Sequence, residues 1–320
     1  MFLLNNSDIE NILNVKNAIK EIEYAFKELQ LGHTILPNRT TIYLKNGTIS
    51  QMSVYLKKSD IAITKVFGIF PKNFKYNLPT NVSTIFIYDT KTGKIIGIMD
   101  GEYITAIRTG ALGAVAVKYL SRENSKNLAI IGCGVQGKAQ LIAIKEVREL
   151  DKVYVYDKIP NIKLNFANEM SKKIGLDIIP TDSVYSAIKS ADIIVTATTS
   201  SKPVIKGKWL GEGVHINAVG SFYPNHRELD TETILKSKVI VDLKDAALKE
   251  AGDILIPIKE GKINKEYIYG ELGEIIIGKK TGRINNNEIT IFKSVGLAVQ
   301  DAAIANLILK NYYKTLTSKN

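Results

Sequence analysis

The chain has 320 residues, of which 45% are hydrophobic and 23% charged. This composition is typical of a globular protein and excludes a disordered chain. Its only cysteine, Cys133, excludes a disulfide scaffold and favours a cytoplasmic location, where thiols stay reduced. The formal charge of +11 comes from scattered lysines and arginines without a basic block, so we expect a small anionic partner and no nucleic acid.

The N-terminal half begins with a predicted helix and continues with predicted strands. The apolar run at its start covers only residues 1–4, so we expect neither a signal peptide nor a membrane span. Apolar residues recur at helical spacing and predict one helix over residues 8–31. Residues 40–100 carry β-branched and aromatic runs, which predict strands, with a turn at residues 89–93 between two of them.

A second helix is predicted over residues 102–122, and it carries an unusual stripe of small residues. Gly110 and Gly113 belong to this stripe. Glycine destabilises a helix by up to about 1 kcal/mol relative to alanine, so its presence needs a reason. We expect this helix to approach another backbone or a cofactor closely.

After residue 125, short apolar runs alternate with helical stretches. The runs cover residues 128–131, 153–156, 177–179, 193–197, 215–219 and 239–241. Because the connections are long enough for helices, the runs predict a parallel sheet covered on both faces, which is a doubly wound α/β domain. A β-like segment at residues 289–292 and a helix at about residues 295–313 complete the predicted elements.

The strongest motif is a G-x-G-x-x-G sequence between the first of these runs and a helical stretch. Its predicted coenzyme-binding residues are Gly132, Gly134, Val135, Gln136 and Gly137. The first glycine allows a tight turn, the second lets a pyrophosphate approach the helix N-terminus, and the third allows close packing of helix and strand. This context predicts a dinucleotide-binding site.

The second predicted strand ends in Asp157, which lies 20 residues beyond Gly137. Its carboxylate would accept hydrogen bonds from ribose hydroxyls and repel a 2′-phosphate, so NAD(H) is favoured. Lys158 follows directly, and NADP(H) therefore stays possible. Cys133 is predicted to be a small filler inside the turn. Neither this cysteine nor the three histidines have metal-ligand spacing, and we expect no metal site.

Several further motifs accompany the glycine loop. They are PNR at residues 37–39, Lys65 within AITKVFG, LPT at 78–80, DGEYITAIRT at 100–109, RELD at 227–230, ELGE at 271–274 and SVGLAVQD at 294–301. Together with the loop, they make nearly the whole chain resemble the ornithine cyclodeaminase and μ-crystallin family. That family contains ornithine cyclodeaminases, alanine dehydrogenases and reductases of cyclic imines such as 1-pyrroline-2-carboxylate.

The resemblance implies a Rossmann domain and a second α+β domain that binds substrate and forms a homodimer. The second domain would consist of the N-terminal half and the C-terminal helix, residues 1–122 plus 300–320. The NAD(P)-binding Rossmann domain would cover residues 123–299. The change of pattern near residue 122 and the returning terminal helix agree with this division.

The resemblance also implies a substrate site. The family places arginines that match Arg39 and Arg108 at this site, and guanidinium groups bind carboxylates bidentately. Lys65 lies in an apolar strand, where burial would lower its pKa and let it exchange a proton near neutrality. Its family counterpart faces the substrate's carboxylate and reacting carbon.

Other family positions imply coenzyme contacts or structural roles. Thr109 would lie near the coenzyme phosphate, and Ser294 and Gly296 near the nicotinamide. We expect Asp230 to cap a helix. Glu271 and Glu274 are predicted to form a helix-start pair, which is a structural role rather than a catalytic one.

The segment from residue 217 to residue 229 departs from the cyclodeaminases. Those enzymes and the family's alanine dehydrogenases carry an aspartate where this chain has Phe222, and phenylalanine cannot transfer protons. Ser221 or His226 could substitute only in part. The cyclodeaminases also carry an acid eleven positions after the first arginine, where this chain has Ser50. The segment resembles instead the μ-crystallin type, whose members reduce preformed ketimines.

The resulting hypothesis is an NAD(P)H-dependent reductase of an α-imino acid, with 1-pyrroline-2-carboxylate to L-proline as the model reaction. Three alternatives stay open. The first is an ornithine cyclodeaminase with catalytic NAD, and the second is an NAD-dependent alanine or other amino-acid dehydrogenase. The third is a non-catalytic protein that binds a nucleotide or small ligand, although the presence of Arg39, Lys65 and Arg108 argues against it.

Overall fold

The computed structural model describes the backbone of residues 1–317 and the side chains through residue 314. The chain forms two compact units. Unit 1 consists of Met1–Arg108 together with the chain from Leu297 onward, and unit 2 is Thr109–Gly296. The sequence placed the corresponding boundaries near residues 122 and 300. The first boundary of the units falls inside one continuous helix, Glu102–Leu120.

Unit 1 is built on a seven-stranded sheet. Its elements are β1 (Phe2–Leu4), α1 (Asn6–Ile12), α2 (Val15–Gln30), β2 (Thr34–Ile35), β3 (Thr40–Leu44), β4 (Gly47–Leu56), β5 (Ile61–Ile69), a 3-10 turn (Asn73–Tyr76), β6 (Asn81–Tyr88), β7 (Ile95–Asp100), the first part of α3 (Glu102–Leu120) and α11 (Ala298–Thr317). The strand order is β1-β7-β6-β5-β4-β2, with β3 also paired to β4. Only the pairing of β1 with β7 is parallel. The terminal helix α11 packs on α2, β4 and β5.

The structure has two helices where the sequence predicted one over residues 8–31. Leu13 is extended, and Asn14 begins α2 as an N-cap whose side chain accepts a hydrogen bond from Asn17 N at 3.2 Å. An asparagine at this position satisfies a backbone donor of a new helix start. The single-helix prediction was wrong because apolar spacing alone does not register such a cap.

Unit 2 contains an eight-stranded sheet in which every pairing is parallel. Besides the second part of α3, its elements are β8 (Asn127–Ile131), α4 (Val135–Lys145), β9 (Lys152–Tyr156), α5 (Pro160–Ile174), β10 (Ile178–Pro180), α6 (Val184–Ile188), β11 (Ile193–Thr196), a 3-10 turn (Gly207–Trp209), β12 (His215–Ala218), α7 (Thr231–Leu235), β13 (Lys238–Val241), α8 (Lys244–Glu250), α9 (Gly252–Lys259), a 3-10 turn (Lys265–Tyr267), β14 (Gly270–Glu271), α10 (Leu272–Ile276) and β15 (Thr290–Lys293). The order is β10-β9-β8-β11-β12-β15-β13-β14. The predicted doubly wound Rossmann-type sheet is confirmed.

Both faces of this sheet carry a hydrophobic core. Ile130 of β8 packs in the core that includes side chains of α4 and α5. The next residue, Ile131, packs on the opposite face, in the core that includes side chains of α6 and α7. This alternation is expected of a strand buried on both sides. Among the described residues, no helix is both long enough and apolar enough to cross a membrane.

Two predicted helix starts are also confirmed. The side chain of Asp230 accepts a hydrogen bond from Thr233 N at 2.8 Å and caps α7. At the start of α10, the backbone N–H of Glu271 donates to the Glu274 carboxylate at 3.1 Å in a capping box. These acids therefore have structural roles.

The small residues of α3 allow this helix to approach α4 within unit 2. A Cβ added to Gly110 would lie 2.4 Å from the carbonyl oxygen of Ala139, and one added to Gly113 would lie 2.0 Å from Gln140 Oε1. The Gln140 side chain donates to the carbonyl of Thr109 at 2.8 Å. The glycines of α3 therefore allow two helices to pack closely, which agrees with the expected approach of another backbone.

Gly110→Ala should therefore destabilise the protein, although alanine favours a helix by about 1 kcal/mol. The new methyl group would overlap a backbone carbonyl, and overpacking of this kind costs roughly 1–3 kcal/mol. Urea unfolding measures the loss. Gly211→Ala is the matched control, because no atom lies within 4 Å of its added Cβ. Equal stability of the two variants would contradict the packing account.

Candidate active site

The glycine loop of unit 2 joins β8 to α4, and its three glycines differ in surroundings. Gly132 has a φ of +103°, a conformation that favours glycine. A Cβ on Gly137 would lie 2.3 Å from the carbonyl oxygen of Gly132, so this position allows helix and loop to pack. Gly134 has no atom within 4 Å of an added Cβ. The Cα of Gly134 therefore faces open space, where a ligand can approach the backbone.

The start of α4 fits a pyrophosphate. Gly134 is the N-cap residue of this 11-residue helix. As a glycine, it has no side chain that could accept a hydrogen bond from the backbone N–H groups of the first turn. The first backbone N–H groups of a helix attract anions when they are not bonded within the helix. Val135 and Gln136 form the first turn of this helix. The residues present therefore fit a dinucleotide.

Asp157 lies at the carboxyl end of β9 and contacts the loop directly. Its Oδ2 accepts a hydrogen bond from Cys133 N at 3.0 Å, and its Oδ1 accepts one from Ile159 N at 2.9 Å. A cavity of about 590 Å³ opens beside it, with Gly132, Gly134, Asp157, Lys158 and Thr198 in its lining. The acid and the adjacent lysine thus line one cavity, as a site that selects between NAD(H) and NADP(H) requires.

Only Gly132, Gly134 and Asp157 of the nine predicted coenzyme residues line this cavity. Outside its lining lie Val135, Gln136 and Gly137 of α4, and also Thr109, Ser294 and Gly296. Ser294 and Gly296 follow β15, and one carboxylate oxygen of the buried Asp242 accepts hydrogen bonds from Ser294 Oγ at 2.9 Å and Gly296 N at 3.0 Å. Thr109 lies in α3 and is buried. Asp242 was not predicted from the sequence, although an acid directly after a buried strand is a usable signal.

The predicted substrate residues of unit 1 gather at the middle of its sheet. Lys65 lies on β5, which pairs with β4 and β6, and only 1% of its side-chain surface is exposed. Its ammonium donates hydrogen bonds to Thr105 Oγ1 and, at 2.8 Å, to Asp301 Oδ1. Lys65 is therefore a buried cation with an acidic partner.

Arg108 and Arg39 bring further positive charge to this lysine. The Nε atom of Arg108 lies 3.5 Å from Asp301 Oδ1, and its guanidinium donates to Gln300 Oε1. The guanidinium of Arg39 lies over the ring of Phe67, at 5.6 Å from the ring centre. The Lys65 ammonium lies 5.7 Å from the centre of the same ring. The structure thus brings all three predicted cations together.

The charge balance of this cluster favours an anionic ligand. Burial lowers the pKa of Lys65 to about 8, Asp301 opposes this shift, and the charges of Arg108 and Arg39 add to it. Below that pH the Asp301 carboxylate faces two buried cations, Lys65 and Arg108. A substrate carboxylate would supply a missing counter-charge and would match the guanidinium geometry.

Asp301 and Gln300 were not predicted as site residues, although both belong to a quoted family motif. Both are fully buried in α11, among apolar side chains. An acid on the apolar face of a helix is rare unless it is paired. This signal could have identified Asp301, but the identity of its partner could not have been read from local sequence.

The segment after β12 in unit 2 has no carboxylate at the position that the cyclodeaminases use. Phe222 packs against a hydrophobic core, and its ring lies 4.7 Å from that of Tyr223. The hydroxyl of Ser221 donates to the carbonyl of His226 at 3.0 Å. At residue 222 the chain therefore presents an aromatic ring instead of an acid.

A match to a family model identifies the relationship. The model describes the ornithine cyclodeaminase/mu-crystallin family and matches residues 1–315. The chain belongs to this family. Among the relatives, a Delta(1)-pyrroline-2-carboxylate reductase of Bacillus thuringiensis subsp. konkukian is 39% identical over 311 residues, which cover 96% of this chain and 95% of the relative.

Two solved structures of family members are also similar. The Thermococcus litoralis Delta(1)-pyrroline-2-carboxylate reductase in complex with NADH and L-proline is 46% identical, covers 98% of both chains and has a TM-score of 0.97. An archaeal alanine dehydrogenase dimer with bound NAD is 34% identical and has a TM-score of 0.93. That match covers 98% of this chain and 96% of the relative.

Asp301→Asn should strongly destabilise the fold at pH 7. The substitution leaves the Lys65 and Arg108 cations buried without a carboxylate, and breaking a buried pair in this way costs about 3–5 kcal/mol. Replacing Lys65 by Met as well should recover part of the loss, because one uncompensated charge disappears. Chemical denaturation of the single and double variants measures both effects. The fully exposed Asp182 provides a control as Asp182→Asn. An Asp301→Asn variant as stable as this control would contradict the pairing.

Proposed function

We propose that the chain is an NAD(H)-dependent oxidoreductase that reduces the C=N bond of a cyclic α-imino acid, with 1-pyrroline-2-carboxylate as substrate and L-proline as product. The observation that carries this proposal is the pair of buried cations Lys65 and Arg108 around the one buried acid Asp301, with Arg39 close to Lys65. Its excess positive charge suits one substrate carboxylate. The similarity to relatives named pyrroline-2-carboxylate reductases supports the same reaction.

In this proposal, Arg39 and Arg108 bind the substrate carboxylate and hold the imine in a fixed orientation. The protonated Lys65 donates a proton to the imine nitrogen, which makes the imine carbon a better hydride acceptor. The Asp301 carboxylate keeps the ammonium in place through their 2.8 Å contact. Bound NADH supplies the hydride. The product amine takes a second proton from solvent.

The coenzyme would bind to the glycine loop of unit 2, with its pyrophosphate at the N-terminus of α4. Asp157 favours NAD(H), because its carboxylate accepts ribose hydroxyls and repels a 2′-phosphate. The bound NADH and NAD of the two similar structures support this preference. Lys158 leaves use of NADP(H) possible. The single Cys133 supports a cytoplasmic location.

An NAD-dependent amino-acid dehydrogenase is the second candidate, because the archaeal alanine dehydrogenase is 34% identical over almost the whole chain. Its reaction would start from an amine and would need a base to remove a proton. The family's alanine dehydrogenases carry an aspartate where this chain has Phe222, whereas the reduction of a preformed imine requires only a proton donor. The geometry therefore favours the reductase.

The direct test compares two substrates. With 1-pyrroline-2-carboxylate the protein should oxidise NADH and form L-proline, and with L-ornithine and NAD it should release no ammonia. Absorbance at the NADH band and an ammonia assay measure the two reactions. NADH formation with L-alanine would favour the dehydrogenase. Ammonia and proline from ornithine would contradict the role that we assign to Phe222.

The pH dependence of imine reduction should report Lys65. Because the protonated form is the active one, kcat/KM should fall as the pH rises through about 8, the pKa that burial gives this lysine. Asp301→Asn should move this fall to lower pH, because the carboxylate that raises the Lys65 pKa is gone. A rate profile of this variant that coincides with the wild-type profile would argue against proton donation by Lys65.

We also propose that the chain forms a homodimer, as the archaeal relative does. Ile42 and Tyr43 of unit 1 are 63% and 78% exposed and adjoin the exposed Leu44, and contiguous exposed apolar side chains indicate an interface. Light scattering should give twice the chain mass of 35.4 kDa, and Tyr43→Lys should weaken the association. A monomeric wild-type protein at assay concentration would refute this part of the proposal.

A further inference from the structure

We infer that Glu228 is a positioning residue for the coenzyme, because its buried carboxylate fixes the Thr198 wall of the cavity beside the glycine loop. This inference rests on the proposed function, since it takes that cavity to be the coenzyme site. Glu228 has no exposed surface. It therefore cannot contact a ligand and acts only through the groups that it holds.

The carboxylate of Glu228 accepts four hydrogen bonds. Its Oε1 accepts from the backbone N–H and the hydroxyl of Thr198, both at 2.7 Å. Its Oε2 accepts from Thr196 Oγ1 at 2.9 Å and from Gly220 N at 2.8 Å. Four donors satisfy both oxygens of an ionised carboxylate, and two of them are backbone groups that can only donate.

These donors lie where a parallel α/β sheet binds its ligands. Thr196 is the last residue of β11, and Gly220 follows the neighbouring strand β12. Ligands of such sheets bind outside the carboxyl ends of the strands. Thr198 lines the cavity together with Gly132 and Asp157. Glu228 thus ties two strand ends to one residue of the cavity wall.

Space around the wall is closely filled. A Cβ added to Gly220 would lie 2.4 Å from Thr198 N and 2.5 Å from Glu228 Oε1. A Cβ on Gly132 would lie 2.5 Å from the carbonyl of Ala197, on the same stretch of chain. The Thr198 segment therefore contacts both the glycine loop and the Glu228 carboxylate. A displacement of the segment at one contact would also displace it at the other.

A second buried acid holds Glu228 itself. Asp253 Oδ1 accepts from the backbone N–H groups of Glu228 and Leu229 at 2.8 and 2.9 Å. Its Oδ2 lies 2.9 Å from the ammonium of Lys293, which also donates to the carbonyl of Ser221. Burial raises the pKa of Glu228, whereas Lys293 and the Thr198 bonds oppose that shift. Asp253 therefore holds the backbone of Glu228, while the donors of Thr196, Thr198 and Gly220 hold its carboxylate.

The test uses Glu228→Gln, which keeps the size of the side chain but turns one acceptor oxygen into a donor that would face other donors. Glu232→Gln is the matched control, because this nearby glutamate is half exposed. Thr196→Val removes one donor and preserves the shape of a buried strand residue. For each variant, fluorescence titration gives the Kd for NADH, steady-state kinetics give the KM for 1-pyrroline-2-carboxylate, and circular dichroism and Tm report folding.

We expect the Kd for NADH to rise about tenfold in Glu228→Gln and about threefold in Thr196→Val, in line with the loss of hydrogen bonds to a buried charge. The KM for the imine should stay within twofold of the wild-type value, because the described hydrogen bonds of the Glu228 carboxylate all go to residues of unit 2. The control should bind NADH as the wild type does. This separation of coenzyme and substrate effects distinguishes positioning from general damage.

Three results would overturn the inference. One is a folded Glu228→Gln variant with the wild-type Kd for NADH, and another is an equal rise of the NADH Kd and the imine KM. If Glu228→Gln does not fold, Thr196→Val decides, and an unchanged Kd in that variant also overturns the inference. A wild-type protein that binds no NADH would instead refute the proposed function, which the titration reveals before any variant is compared.

Discussion

The buried contact between Lys65 and Asp301 is the interaction on which the candidate active site depends. An ammonium group buried in a sheet is costly unless a counter-charge compensates it. Asp301 supplies one negative charge to two cations, Lys65 and Arg108. The pair keeps the lysine inside the protein and leaves the cluster with positive charge in excess. Asp301 therefore compensates only one of these two positive charges. The remaining positive charge would suit an anion.

Unit 2 buries several acids, whereas the cluster of unit 1 has more cations than acids. There the acids Glu228, Asp242 and Asp253 are buried at or near the carboxyl ends of the strands and accept hydrogen bonds mainly from backbone N–H and hydroxyl groups. Each of these carboxylates accepts several hydrogen bonds from the loops that follow the strands. The glycine loop next to them keeps its helix N-terminus open for a pyrophosphate. One unit thus gathers buried cations, and the other holds the backbone near its glycine loop with buried carboxylates.

The sequence predicted the features that depend on local patterns. The doubly wound sheet followed from apolar runs of strand length, and the glycine loop from a motif whose flanking strand and helix were both recognisable. Where a local polar signal competed with the pattern, the prediction was wrong, as at Asn14, whose cap divides one predicted helix into two. The predicted division into domains near residues 122 and 300 stays a prediction, and the first boundary of the compact units falls inside the continuous helix α3.

The site was predictable only in part for a related reason. Arg39, Lys65 and Arg108 were identified because a family resemblance marks them, and their roles stay predictions. Asp301 lies 236 residues from Lys65 in the chain, so no local pattern connects the two. The four bonds of Glu228 likewise join residues that are up to 32 positions apart. Long-range polar pairing of this kind becomes visible only in three dimensions.

The most direct test of the account is the binding of a matched pair of planar ligands, pyrrole-2-carboxylate and pyrrole-2-carboxamide, measured as a shift of Tm. They have the same ring and nearly the same shape, and only the first carries the negative charge that the Lys65–Arg108–Asp301 cluster should attract. A ligand that binds the folded state raises the Tm. We predict that the carboxylate raises the Tm of the wild type but not that of Arg108→Met, and that the amide raises neither. Equal shifts with both ligands would contradict the claim that the cluster is a carboxylate site.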